Sequence, residues 1–231
     1  MTSTAILIPA RYGSTRFPGK PLCDLGGLPM IVRVYEQCVK SGLPVFVLTD
    51  NLSINDHFDI NTCIVDNDQY NNGTERCAGA VTKSILLEQY DEFINVQGDM
   101  PDINLEIINA VYKELNFFSV VTAYTDMDPA LQSDPNIVKM IKGNQLAHWF
   151  GRGFNYGYHH LGVYGYKRYR LEQYYNWGQS KEENIEKLEQ LRWYDHDVMI
   201  RAVKVNFSGI EINTPEDAEK WNDSWKSMGH N

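Results

Sequence analysis

Short, nearly unbroken apolar runs alternate along this chain with stretches of helical periodicity. That alternation constrains the fold more than any other feature, because it is the pattern of an α/β protein with a largely parallel sheet. Ala5-Ile6-Leu7-Ile8, Pro44-Val45-Phe46-Val47-Leu48-Thr49 and Phe93-Ile94-Asn95-Val96 are such runs. Strands are expected at 4–9, 44–49, 62–65, 93–96, 117–124 and 198–205. Helices are expected at 74–87, 102–115 and 180–191. Met30, Val34 and Cys38 recur at i, i+4 and i+8 after Pro29, which predicts another helix ending at Gly42. Ser180 and Glu183 have capping-box spacing. Thr214 and Pro215 suit the N-cap and first position of a last helix. Residues 136–141 and 146–150 flank Lys142-Gly143-Asn144-Gln145 and read as a β-hairpin. A Tyr-, Gly- and His-rich stretch, 156–166, reads as a strand flanked by loops. With no internal repeat, low-complexity tract or linker, one domain over 1–231 is expected, with 136–166 as an excursion from the main sheet.

The 231 residues carry 21 Lys and Arg against 30 Asp and Glu, a formal charge of -9. An acidic chain lacks the basic face that nucleic acid requires. Four cysteines, Cys23, Cys38, Cys63 and Cys77, form no C-x-x-C pair, and no His stands at zinc-finger spacing beside them. They read as small buried hydrophobes of a cytoplasmic protein. The first residues show neither a signal peptide nor a membrane-spanning length of apolar residues.

Against that acidic background, Ile8 to Lys20 (IPARYGSTRFPGK) contains Arg11, Arg16 and Lys20 and no acid. A Gly- and Pro-punctuated basic loop after a first strand lies where α/β proteins bind ligands. Its backbone N–H groups and cations suit oxyanions. It is not a P-loop: Gly13 to Gly19 encloses five residues rather than four, and Pro21 follows Lys20. It also lacks the dinucleotide fingerprint, which sets aside a dehydrogenase-like reading. A surface loop that is merely basic remains the alternative. A second feature, Asn95-Val96-Gln97-Gly98-Asp99, places Asp99 just past a buried strand. A carboxylate there suits Mg²⁺, which favours one or two carboxylates completed by phosphates and water. The same residues also make good turn chemistry.

IPARYGSTRFPGKPL, NNGTERCA (71–78), NVQGDMP (95–101), HHLGVYGYK (159–167) and LEQLRW (188–193) occur in an order and spacing that resemble the 3-deoxy-manno-octulosonate (Kdo) cytidylyltransferases, the CMP-Kdo synthetases. The likeness runs from about Ile6 to Ala218. It implies a three-layer nucleotide-diphospho-sugar transferase fold, Rossmann-like, with a mixed, mostly parallel sheet, usually as a homodimer. It implies Mg²⁺-dependent transfer of CMP from CTP to a 2-keto-3-deoxy sugar acid, with release of pyrophosphate. By the same resemblance, Arg11, Arg16 and Lys20 grip the triphosphate with Ser14 nearby. Ala10, Arg76 and Gln97 contact cytidine, and Asp99 binds the metal. Arg152, His160, Tyr164, Glu189 and Gln190 form the sugar pocket. His160 and Tyr164 are four apart on an expected strand and face one side, which suits a pocket wall or core packing alike. Glu189 and Gln190, adjacent on an expected helix, are expected to point different ways.

Three departures stand out. Asn213 replaces the Asp of the family's late Asp-Thr-Pro-Glu-Asp motif, the second metal ligand, with Glu211 two positions earlier. Only Gly-Phe-Asn-Tyr-Gly-Tyr separates Arg152 from His159, where the family carries a longer stretch beginning Ala-Thr-Ile-Pro-Trp. Met100 stands for a common Glu, and His159 for a common Arg. A cytidylyltransferase for Kdo or a close analogue such as 8-amino-Kdo is expected. The alternative is a CTP-binding relative that has lost turnover through Asn213.

Overall fold

The computed structural model describes residues 3–13 and 17–229. Ser14 and Arg16, both expected at the nucleotide, lie outside the described residues.

The apolar runs form strands because each offers two hydrophobic faces to two layers of helix. The strands are β1 Thr4–Ala10, β2 Asp24–Leu25, β3 Leu28–Pro29, β4 Val45–Thr49, β5 Cys63–Val65, β6 Glu92–Asn95, β7 Val120–Thr125, β8 Lys139–Gly143, β9 Leu146–Gly151, β10 Tyr158–Lys167 and β11 Ile200–Lys204. The helices are α1 Met30–Val39, α2 Leu52–Asn55, α3 Gly73–Lys83, α4 Leu105–Leu115, α5 Arg168–Asn176, α6 Lys181–Glu186, α7 Leu191–Asp195 and α8 Pro215–Ser227. Among the described residues the main sheet has the order β5-β4-β1-β6-β10-β7-β11-β9-β8. β1 pairs in parallel with β4 and β6, β4 with β5, and β7 with β11. β10 runs against β6 and β7, and β9 against β11 and β8.

Alternation along β1 sends Ala5 and Leu7 to one face, Ile6, Ile8 and Ala10 to the other. Cys77, Ala78 and Val81 of α3 and Leu171 of α5 cover the first face. Val34 and Cys38 of α1 and Ile107, Ile108 and Val111 of α4 cover the second. This is the expected three-layer α/β architecture.

The hairpin β8–β9 leaves the parallel part of the sheet yet stays hydrogen-bonded to it through β11. β8 then returns to pair with the start of β10, Tyr158 against Met140 and His159 against Lys139. β10, β7, β11, β9 and β8 thereby close a circuit that walls one side of the central cleft.

Several elements differ from the sequence reading: β2, β3 and α2 were not expected, and α3 ends at Lys83 rather than at 87. Helix α5 was not expected: its Arg-Tyr-Arg-Leu-Glu-Gln-Tyr-Tyr-Asn run buries only Leu171 and Tyr174, too narrow a stripe to read as amphipathic. The helix expected at 180–191 is two helices. The Ser180–Glu183 capping box opens α6, but Lys187 adopts φ 55 and stops it. The helix expected from 102 begins at Leu105 with Asn104 as its cap. Asp102 instead accepts from Trp221 Nε1 and Ile210 N, both at 2.8 Å, tying α8 to the segment that follows β6.

Candidate active site

The carboxyl ends of β1 and β6 open into a cleft of about 720 Å³, the place where open α/β sheets take ligands. Ala10, Arg11, Lys20, Arg76, Gln97, Asp99, Arg152, His160, Tyr164, Glu189, Gln190 and Asn213 all line it. Twelve residues named from scattered motifs therefore meet around one space.

The floor is built by close backbone approach. A Cβ on Gly98 would stand 3.0 Å from the Pro9 carbonyl oxygen, so glycine eases the close approach of the two chain segments that delivers Asp99. Lys20 reaches across from the basic loop. Its Nζ donates to Asp99 Oδ2 at 2.7 Å and to the Ile212 carbonyl at 3.0 Å. Ile212 N donates to the Asp99 carbonyl at 2.9 Å. One lysine thus binds three segments of the cleft together.

Arg76, 5% exposed in the first turns of α3, donates to Asp50 Oδ2 at 2.9 Å. The other Asp50 oxygen accepts from Tyr12 N at 3.0 Å. Asp50, which ends β4 as Asp99 follows β6, holds the basic loop and Arg76 in register. The sequence reading gave it no role, although a carboxylate at the end of a parallel strand was the available signal.

The opposite wall comes from β10 and the α6–α7 turn. A bulge between His160 and Tyr164, with Gly162 at φ 63, keeps both side chains on one face, their rings 5.3 Å apart. Burial lowers the His160 pKa to about 3, so the ring is neutral. Thr122 Oγ1 gives its single proton to the Val163 carbonyl, so it accepts from His160 Nε2 at 2.9 Å. That leaves His160 Nδ1 as an acceptor.

Because Lys187 ends α6, Glu189 and Gln190 lie in a turn rather than on a helix, and both line the cleft. This corrects the expectation that they point different ways. Glu189 Oε2 accepts from Thr74 N, at the α3 N-terminus, at 2.9 Å. Its Oε1 accepts from Gln97 Nε2 at 3.3 Å. Burial raises the Glu189 pKa. Gln190, 2% exposed, has a buried Nε2 with no hydrogen bond.

The turn itself is held from behind by Arg192, 1% exposed, which pairs with Glu183 at 2.7 Å and Glu75 at 2.5 Å. Its guanidinium lies over the Tyr174 ring, 4.1 Å from the ring centre. Arg152 donates to the Asn136 carbonyl. Lys139, fully buried, donates to the Asp134 and Arg152 carbonyls and pins both sides of that loop. Neither Lys139 nor Arg192 was assigned from sequence, although Arg192 sits inside the LEQLRW run.

Residues 5–134 match the family model described as cytidylyltransferase. The chain belongs to the cytidylyltransferase family. A 3-deoxy-manno-octulosonate cytidylyltransferase of Paramagnetospirillum magneticum is 33% identical, over 93% of this chain and 94% of the relative. An 8-amino-3,8-dideoxy-manno-octulosonate cytidylyltransferase of Shewanella loihica is 36% identical, over 93% and 95%. A solved CMP:2-keto-3-deoxy-manno-octonic acid synthetase, complexed with CTP, has a TM-score of 0.87 at 30% identity, covering 98% of this chain and 100% of that one. Family, nucleotidyltransferase class and fold therefore agree with the expectation from sequence.

Within this cytidylyltransferase, the departures are local. Gly-Phe-Asn-Tyr-Gly-Tyr closes in a tight connection, with Phe154 stacked on Tyr156 at 5.7 Å and Gly157 at φ 111. Met100, 1% exposed, packs into the core. Asn213 N donates to Asp217 Oδ2 at 2.9 Å, joining the capping box that Thr214 and Asp217 form. Among the described residues, no three His, Cys, Asp or Glu side chains cluster to hold a metal. No helix among them is long and apolar enough to cross a membrane.

Proposed function

We propose that the enzyme transfers CMP from CTP to the anomeric hydroxyl of Kdo or a close analogue, releasing pyrophosphate, and that it does so with Mg²⁺. The observation that carries this reading is that Arg11, Lys20 and Asp99 line the same cleft as Arg152, His160 and Glu189. The first three suit a triphosphate and its metal, the others an acidic, hydroxyl-rich sugar.

Ala10, Gln97 and Arg76 take the cytidine, with Asp50 fixing the Arg76 guanidinium. Arg11, Lys20 and Arg16 meet the phosphates, Ser14 beside them. The sugar hydroxyl attacks the α-phosphorus as the bond to the pyrophosphate oxygen breaks. Such transfer depends on positioning and charge neutralisation more than on covalent help. Arg152 grips the sugar carboxylate, the two oxygens matching its fork. His160, neutral, and Tyr164 shape the wall, while Glu189 and Gln190 offer hydrogen bonds to sugar hydroxyls. Asp99 and Asn213 both line the cleft, and their carboxylate and amide oxygens are a hard donor set that fits Mg²⁺ once phosphates and water complete it. Bound there, Mg²⁺ would neutralise phosphate charge and make an attached hydroxyl more acidic.

Pyrophosphate release with CTP and Mg²⁺ tests this reading, measured with Kdo, 8-amino-Kdo, N-acetylneuraminate and no sugar. Release with one of the octulosonates names the substrate. Binding of CTP without release with any sugar would support the second reading, a nucleotide-binding relative weakened by Asn213. We further propose one domain, a cytoplasmic location with reduced thiols, a homodimer, and a place in lipopolysaccharide biosynthesis. Light scattering tests the dimer.

A further inference from the structure

The site holds a carboxylate that neither the family pattern nor the reading above uses. Ile212 is fully buried against Leu25, Met30 and Trp221. Its neighbours Glu211 and Asn213 both turn to the cleft instead. Lys20 and the Ile212 N–H clamp this segment to Asp99. Glu211 Oε1 is buried and has no hydrogen bond. His159 Nε2 lies 3.5 Å from it, at the limit of hydrogen-bond distance. His159 is itself only 6% exposed, and its Nε2 also lacks a partner. Two polar atoms, each costly to bury alone, therefore face each other at the rim of the cleft.

We propose that Glu211 supplies the second carboxylate to the divalent cation, in place of an acid at 213, and that His159 is its positioning residue. The neutral Asn213 leaves the donor set one charge short, and Glu211 restores it from two positions away. His159 donates from Nε2 to Glu211 Oε1, leaving the other carboxylate oxygen for the cation. Carboxylate ligands are commonly oriented by such an outer hydrogen bond. The substitution of His for Arg at 159 and the acid at 211 thus belong to one rearrangement. This rests on the reading of the cleft as the CTP–metal site.

The test is Mn²⁺ binding in the presence of CTP, read from loss of the free Mn²⁺ EPR signal against a CTP-only control. Glu211→Gln should weaken Mn²⁺ binding by about tenfold or more, and His159→Gln by several-fold, on the scale of lost ligands and outer partners. CTP affinity without metal and the melting temperature should stay unchanged, and Asn213→Asp should restore binding to the Glu211→Gln protein. Unchanged Mn²⁺ affinity in Glu211→Gln, with a loss in Asp99→Asn, would overturn the role of Glu211 alone. Unchanged affinity in both variants would overturn the metal reading of the cleft with it.

Discussion

Nζ of Lys20 lies 2.7 Å from Oδ2 of Asp99, and the same ammonium reaches the carbonyl of Ile212 at 3.0 Å. The pair joins the basic loop to the carboxylate that follows β6. Asp99→Asn keeps the shape and removes the charge. It should lower kcat by about a hundredfold or more, as loss of a group that meets transition-state charge does. The melting temperature should stay near that of the parent. Near-normal turnover would remove Asp99 from the chemistry.

Arg152 lines the cleft and is anchored to the Asn136 carbonyl. Truncation to Ala should raise KM for the sugar about ten- to a hundredfold, the worth of a charged hydrogen-bonding pair. KM for CTP should change far less. Steady-state kinetics with each substrate varied in turn decides this, and the reverse pattern would move Arg152 to the nucleotide.

Arg192 pairs inside the protein with Glu75 and Glu183. Arg192→Ala leaves two carboxylates buried without their cation, at a cost of about 3–5 kcal/mol. Denaturant unfolding should show that loss. Because Arg192 holds the turn carrying Glu189 and Gln190, sugar KM should rise before CTP KM does. A stability change under about 1 kcal/mol would mean the pair is solvated in solution.

His160 is neutral in the folded protein, its pKa lowered by burial to about 3, whereas the unfolded chain protonates it near 6.5. The unfolded state therefore binds the extra proton, and stability falls as pH drops from about 6.5 toward 3. The limiting slope is about 1.4 kcal/mol per pH unit. His160→Gln should flatten that part of the curve, measured by urea unfolding between pH 7 and 5. Equal slopes for parent and variant would mean that His160 is protonated when folded.

Local patterns in the chain determined the layers. The apolar runs of β1, β4 and β6, the Ser180–Glu183 and Thr214–Asp217 boxes and the glycine before Asp99 act over a few residues, and their signals are written in those residues. The motifs also named the lining of the cleft, because each is a short string. Tertiary structure decided what joins the strings. Lys20 and Ile212 are 192 positions apart, Arg192 and Glu75 117, Arg76 and Asp50 26. No local propensity encodes such contacts. They form only when packing brings the strand ends together and desolvated charges require partners. The same holds for Glu189 and Gln190. Helical periodicity in 180–191 pointed them apart, and the left-handed Lys187, with Arg192 locked behind the turn, brought both to the cleft.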